Sequence, residues 1–519
     1  MGNRLLAVII SFLSVLAIHS CQADIDTTST KSLGGDVRIG ISSENLILES
    51  DIRSLTRKAT KKDVAVIPKG SISLTELACQ GELDAIAIAD EMWANIKCPE
   101  ASWGDTSDSL YQTRIQFALP TKTAQALGWD NKVVSRKEVF DALTTGKLKL
   151  ATTIPTYSNS GYNTLLWLAR EAINPNLTPE QITPEALAPL QPIYKNLAQK
   201  SESTSYLAEK LAKQWQPNTL AALYRFLYTP DGTAINHKNE KLPLKEPVTL
   251  IEVTPAISVT PTWFVTAKDP QLKQQLIEGV FDKLETNSPK TFKRLKQLNP
   301  PYPDNVTRET TPIVEVHRQL LNSFHPSVRQ KRWVVGIIDA SGSMRGQGYS
   351  QLTRAFEQLL IPDKAKANFL YSPSDRFSLT VYQGNRAYNI PETIESNDEA
   401  VRETLYGILK NKVKPDGGTP IDLGLKEGFK TALNVPDGYQ LEVFLFTDGK
   451  FRDPIDSQLL QLHQRLQEKN AELTIVGAGN VDSKQLITLA NKLDARPIIS
   501  KNANKTLDEL LKAFREAQI

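Results

Sequence analysis

The chain has 519 residues, with 61 lysines and arginines against 58 aspartates and glutamates, a net charge of +3, and only 3 cysteines and 5 histidines. At about 150 residues per domain this length holds two to four domains, with cores large enough to need no staples. The near-neutral balance argues against a dedicated nucleic-acid binder, and so few cysteines and scattered histidines argue against a structural zinc site, leaving a metal held by oxygen open.

Arg4 precedes an apolar run over residues 5–18, then His19-Ser20-Cys21. A basic start, a short apolar stretch and a small residue before a cleavage point read as a secretory signal. The run is shorter than the about 20 residues a membrane span needs. Ile18-His19-Ser20-Cys21 resembles a bacterial lipobox. That resemblance implies that Cys21 is lipidated and heads the mature protein, although His19 stands where a small residue is usual. Cleavage after Ala23, releasing a soluble protein, is the alternative. Residues 22–35 read as a polar tether. The expected place is the bacterial cell envelope, either membrane-anchored or periplasmic. With Cys21 assigned to lipid, Cys79 and Cys98 are an even pair in an oxidising space and are expected to form a disulfide. Two independent buried thiols are the alternative.

The pattern then alternates strands and helices. Strands are predicted at 37–41, 64–67, 84–89, 115–119, 148–152 and 249–253, and helices at 44–59, 74–80 and 162–171. Such alternation predicts an α/β fold with open, mostly parallel sheets. Proline and asparagine gather at 175–192 and 299–305, predicted as loops or linkers. Residues 310–327 read as a helix docked on one half or the other. The domain reading is signal 1–21, tether 22–35, a first module over 36–326 and a second domain over 331–519.

The second half carries the sharper signal. An apolar strand, 332–338, ends in Asp339-Ala340-Ser341-Gly342-Ser343, and residues 347–360 follow as a helix. Asp416-Gly417-Gly418-Thr419-Pro420 precedes another helix, and the strand from Val443 ends in Thr447-Asp448-Gly449. Asp339, Ser341 and Ser343 alternate, so all three can converge on one point. Two carboxylates and three hydroxyls (Asp339, Asp448, Ser341, Ser343, Thr419) are hard oxygen donors, suited to Mg²⁺, Mn²⁺ or Ca²⁺. The D-x-S-G-S, G-G-T-P and T-D-G pieces, in this order, resemble the von Willebrand factor A domain. The resemblance implies a doubly wound, mostly parallel sheet with a metal-ion-dependent adhesion site at its top. Ser341, Ser343 and Thr419 would touch the ion, Mg²⁺ first among the three. Asp339 and Asp448 would hold it partly through water. A carboxylate from a partner protein would complete it. The bland alternative is a set of loop and helix caps. Gly477-Ala478-Gly479 imitates a dinucleotide loop but lacks the third glycine, Asp482 standing in its place.

The first half has several hydroxyl-rich loops at helix starts: Ser42-Ser43-Glu44-Asn45, Lys69-Gly70-Ser71 and 153–161. Such loops offer converging N–H groups to anions or polar solutes. They resemble the extracellular solute-binding proteins of bacterial ABC transporters, above all those fused to a von Willebrand factor A domain. In these a similar P-x-Y-S-N-S-G loop occurs, here 155–161, with a later S-E-S-T loop, here 201–204. The resemblance implies a two-lobed periplasmic-binding-protein-like module with a cleft, joined by crossing strands near 114–119 and 259–266. Ser42, Ser71, Ser158 and Ser160 are the cleft candidates for a small polar or anionic solute; plain helix caps are the alternative. Trp93, Trp103, Trp167 and Trp263 line a cleft or, in the simpler reading, pack in the core.

No nucleophile elbow, phosphate loop or H-E-x-x-H occurs. The reading is a non-enzymatic, exported binding protein whose second domain grips a protein partner through a divalent ion. It is held to a membrane by lipid and has no nucleic-acid partner. A transport or sensing component with the cleft as its main site is the first alternative; a metal-dependent hydrolase is the second.

Overall fold

In the computed structural model, residues 35–514 are described, except 99–109, 157, 202, 230–231, 237–239, 329–330, 368–369, 391–398, 452–454, 500–506, 508–509 and 512–513. Cys21, Trp103, Tyr157 and Glu202 therefore lie outside the described residues.

The first lobe is built on a sheet in the order Thr262–Val265, Ala85–Ile88, Val37–Ile41, Val64–Pro68. The last three strands run parallel and Thr262–Val265 runs antiparallel. Their near-continuous apolar runs are buried from both faces, as parallel strands require. Gly40 permits this closeness, because a Cβ there would stand 2.5 Å from Leu74 Cδ2. The predicted helix 44–59 is two elements: a 3₁₀ turn, Ser43–Leu48, then a helix, Glu49–Thr60. Cys79 ends the helix Ser71–Cys79, and Cys98 follows the helix Met92–Lys97. The two are joined as a disulfide, with Cα atoms 6.2 Å apart.

The second lobe has a sheet in the order Ile257–Val259, Thr113–Pro120, Thr219–Tyr224, Lys149–Thr153, Gln199–Ser201, with Val248–Ile251 also paired to Thr113–Pro120. One expected crossing stands, since the chain passes from Ile257–Val259 of this sheet to Thr262–Val265 of the first lobe within 259–266, and the other is displaced from 114–119. Every residue of Thr113–Pro120 is buried, so this strand belongs inside the second-lobe sheet rather than at a hinge. The chain passes between lobes just outside it, where Leu110 N–H donates to Pro261 O at 3.0 Å. A third passage is tied alongside by Arg114 Nη1 to Pro300 O at 3.1 Å. Within 175–192 the prolines start short helices, Pro184–Leu187 and Gln191–Lys195, as their fixed φ allows.

Helix Val314–Val328 docks on this first module, where Val316, Leu320, Leu321, Phe324 and Val328 join a core that draws on both lobes. Arg318 Nη2 donates to Asn95 O of the first lobe at 3.2 Å, and Gln319 Nε2 to Ile182 O of the second at 3.2 Å.

The remaining sheet runs in the order Arg386–Asn389, Arg376–Gln383, Arg332–Asp339, Gln440–Thr447, Glu472–Gly477, Arg496–Ile498. All pairs are parallel except the first, an antiparallel edge. Side-chain alternation on one strand serves two cores. Val334 and Ile338 pack with Leu352 and Phe356 on one face, while Val335 and Ile337 pack with Leu425 and Phe429 on the other. Chain order therefore reverses at Arg332–Asp339. In open α/β sheets such a reversal opens a crevice beyond the carboxyl ends of the strands.

Candidate metal centre and interlobe cleft

Asp339 closes its strand at that reversal and Thr447 closes the neighbour, since Ile338 pairs with Phe446 in register. Asp339 is fully buried and both its oxygens are engaged. Oδ1 accepts the Ser341 N–H at 2.8 Å and Oδ2 accepts the Thr447 hydroxyl at 2.7 Å. Burial pushes this carboxyl upward in pKa, and the bonds from Ser341 and Thr447 partly oppose the shift. Ser341 Oγ and Ser343 Oγ stand 3.2 Å apart. The loop of Thr419 is tied to theirs through the backbone: Asp416 N–H donates to Ala340 O and Gly342 N–H to Gly417 O, each at 2.9 Å. Gly417 takes a positive φ of 71° and packs on Gly384, where a Cβ would not fit. Thr419 itself is half-buried.

Asp448 is 1% exposed. Its Oδ1 accepts the Lys450 N–H at 3.1 Å, but its Oδ2 has no hydrogen bond. Lys450 Nζ lies 3.4 Å from that oxygen, an ion pair without hydrogen-bond alignment. A buried carboxylate oxygen left without a donor is costly. The donor set and this orphaned oxygen fit a hard cation. Among the described residues no three His, Cys, Asp or Glu side chains gather as a metal site, so any ion here must draw on hydroxyls. The sequence reading passed over Thr447, whose signal was its place one residue before Asp448 on a strand paired to that of Asp339.

In the first module the four serines fall into two groups. Ser42 and Ser158 hold N-cap positions, yet neither side chain caps its helix. Ser42 Oγ bonds Glu44 Oε1 and, at 3.1 Å, Ala87 O. Ser43 Oγ meets Glu44 Oε2 at 3.2 Å, and Ser71 Oγ accepts the Ala89 N–H at 3.2 Å. Ser160 Oγ lies 2.7 Å from both Thr153 Oγ1 and Thr204 Oγ1, and 3.1 Å from Ser158 Oγ. The two motif loops therefore meet through Ser160 and Thr204. Gly161 allows this, because a Cβ there would overlap the Thr153 carbonyl.

Between the groups, Trp93 Nε1 donates to Asn159 Oδ1 at 3.0 Å and Asn159 Nδ2 to Tyr224 OH at 3.1 Å. Trp93 thus links the lobes, whereas Trp167 bonds Pro255 O and Trp263 stacks on Phe281 in the core. Glu44, Asp90, Tyr111 and Tyr224 were not singled out from sequence. Glu44 was absorbed into a predicted helix. Burial raises its pKa despite the Ser42 bond, and burial lifts Asp90 to about 6.

Residues 334–513 match the von Willebrand factor type A domain family. No curated protein matches the chain closely enough to count as a relative. Among solved structures, the chain is similar to the periplasmic binding protein AfuA of Actinobacillus pleuropneumoniae, at 14% identity, covering 56% of this chain and 98% of that one, with a TM-score of 0.38. It is also similar to a von Willebrand factor type A protein of Catenulispora acidiphila, at 18% identity, covering 37% and 44%, TM-score 0.29. A third is the manganese-loaded TRAP protein of Plasmodium vivax, at 17% identity, covering 36% and 73%, TM-score 0.27. The chain is a mixed α/β protein whose residues 334–513 match the von Willebrand factor type A domain family, and periplasmic binding proteins are among the solved structures it is similar to.

Proposed function

We propose that this is an exported, lipid-anchored, non-enzymatic binding protein whose second domain grips a partner protein through a divalent ion. Ser341, Ser343 and Thr419 would offer hydroxyl oxygens to the ion, and Asp339 and Asp448 would hold it by charge. Such an ion supplies one service, attraction for an outside carboxylate. The chain's own residues do the rest. Thr447 and the Ser341 N–H fix Asp339, and backbone bonds hold the Thr419 loop against the Ser341 loop. Mg²⁺ is the first choice, with Mn²⁺ or Ca²⁺ as substitutes. The single observation that carries the reading is the buried, undonated Asp448 Oδ2 beside Asp339, at the point where strand order reverses.

Calorimetry with Mg²⁺ and Mn²⁺ on chelator-treated protein tests it. Saturable binding is expected, and its loss in Asp339→Ala and in Asp448→Asn, both with an intact fold by circular dichroism. Unchanged binding in both variants defeats the proposal. For the anchor, labelled fatty acid should enter the wild type and not Cys21→Ser. The polar groups converging between the lobes support a second role, capture of a small polar ligand in the cleft.

A further inference from the structure

Helix Val314–Val328 holds both lobes of the first module at once. On the first-lobe side Arg318 Nη2 donates to Asn95 O. On the second-lobe side Gln319 Nε2 donates to Ile182 O, Phe324 and Tyr194 meet edge to face with centroids 5.1 Å apart, and His317 Nδ1 shares a hydrogen bond with Tyr162 OH. Tyr162 in turn meets Trp93 of the first lobe edge-on at 5.5 Å, and Trp93 Nε1 donates to Asn159 Oδ1 of the second. The His317 ring is therefore one side chain away from the seam between the lobes. Val328 stands four positions before Arg332, so the same helix also leads into the strand that ends in Asp339.

The ring is 3% exposed, and its Nε2 is buried without a hydrogen bond. Burial pushes its pKa down to about 4; the Pro312 carbonyl opposes that shift and the charge of Arg170 adds to it. Charges on the elements packed against the helix are engaged elsewhere. Lys97 is paired with Glu76 at 2.8 Å, Glu171 with Arg136 at 3.1 Å, and Arg170 with Glu309. Glu91, Glu180, Glu185 and Lys195 are exposed, and on the helix itself Glu315 pairs with Arg318 at 3.6 Å. Asp90, whose Oδ1 accepts the Met92 N–H, takes its own proton near pH 6 and favours the folded state in doing so. Among the described residues no carboxylate bonds the ring, so a proton on His317 is a charge placed out of water without a counter-charge.

We propose that this helix is an acid-sensitive latch, which ties the two lobes together while His317 is neutral and lets go when His317 takes a proton. Released from the seam, the imidazole returns to water, where it binds a proton at its ordinary value near about 6.5. Docked, it does so only near 4. Docking is therefore at full strength above pH 6.5 and weakens as pH falls toward 4. The exported placing proposed above would expose the latch to the pH of the medium. The latch depends neither on the metal centre nor on a ligand in the cleft.

The test is hydrogen–deuterium exchange of the full chain at pH 7.5 and 5.0, with labelling times scaled to the intrinsic amide rates, alongside small-angle scattering at both pH values. In the wild type, peptides within 314–328 should open about tenfold or more as often at pH 5.0, and the radius of gyration should rise. His317→Gln should show neither change, although Asp90 still titrates in it. Tyr162→Phe should raise exchange at both pH values and keep their ratio. His317→Leu serves if the glutamine variant is already undocked at pH 7.5. A helix that exchanges equally at both values, or an acid response unchanged in the His317 variants, overturns the proposal. A radius of gyration that stays constant while the helix lets go overturns its role in holding the lobes.

Discussion

The two halves of the molecule use one local grammar and reach opposite results. In each, hydroxyl-bearing loops follow parallel strands and lead into helices. In the second domain Asp339 is satisfied from its own loop and its neighbour strand, which leaves Asp448 Oδ2 without a donor. In the first module the hydroxyls are spent on Glu44 or on one another. A hydroxyl-rich loop therefore does not say what it binds. What the fold leaves unsatisfied does, and in the second domain that is a buried carboxylate oxygen.

The largest expected effect would break this comparison outright. Asp339→Ala should abolish the rise in Tm that Mg²⁺ or Mn²⁺ gives the wild type while leaving any cleft-ligand response intact. If the metal response survives, Asp339 does not hold the ion.

Next comes the disulfide, which belongs to the first module alone. It closes a loop of sequence separation 19. Replacing Cys79 and Cys98 together by serine should cost about 3 kcal/mol of that module's stability. Metal affinity, measured by calorimetry, should not move.

A smaller effect concerns Asp90, whose pKa rises from 3.8 to about 6, through burial first. Between those values the folded protein holds a proton that the unfolded chain releases. The ionised group therefore costs stability above pH 6, and that cost fades as pH falls toward 4. Asp90→Asn should stabilise the ligand-free protein by about 1–2 kcal/mol at pH 7.5, discounted for partial solvent access, and by nothing near pH 4. Denaturant melts at the two pH values check it. A destabilised variant at pH 7.5 would mean that the bond from the Met92 N–H to Asp90 outweighs the burial of its charge.

The smallest effect sharpens the metal site. Lys450 pairs with the Asp448 oxygen that the ion would face, and its side chain is 44% exposed. Lys450→Met should tighten Mn²⁺ about threefold, the scale of an exposed ion pair. Unchanged or weaker binding would show that the lysine does not compete.

Much of the second domain was legible. Its strand 332–338 and helix 347–360 stand within a residue of where the pattern places them. The three oxygen-bearing pieces could be read because two sit at strand ends and one at a helix start, where local periodicity and motif spacing already fix position. The strand Arg376–Gln383 was not read, although it pairs with Trp333 through Asp339. Nor was Thr447 seen as the group that holds Asp339, since that contact spans 108 residues of chain.

The first module was less legible for the same reason. Cys79 and Cys98 could be paired by counting, and Ser160 marked by its loop. Glu44 could not be distinguished from an ordinary helix residue until the fold turned it onto Ser42 and Ser43. Sequence alone determined the alternation of elements, the division into two halves and the oxygen-only donor set, because these depend on residue type and short-range spacing. Tertiary structure decided where the chain crosses between lobes, which hydroxyls are already taken and which buried oxygens are left over. Those depend on contacts between residues far apart in the chain, and on burial, which no local pattern encodes.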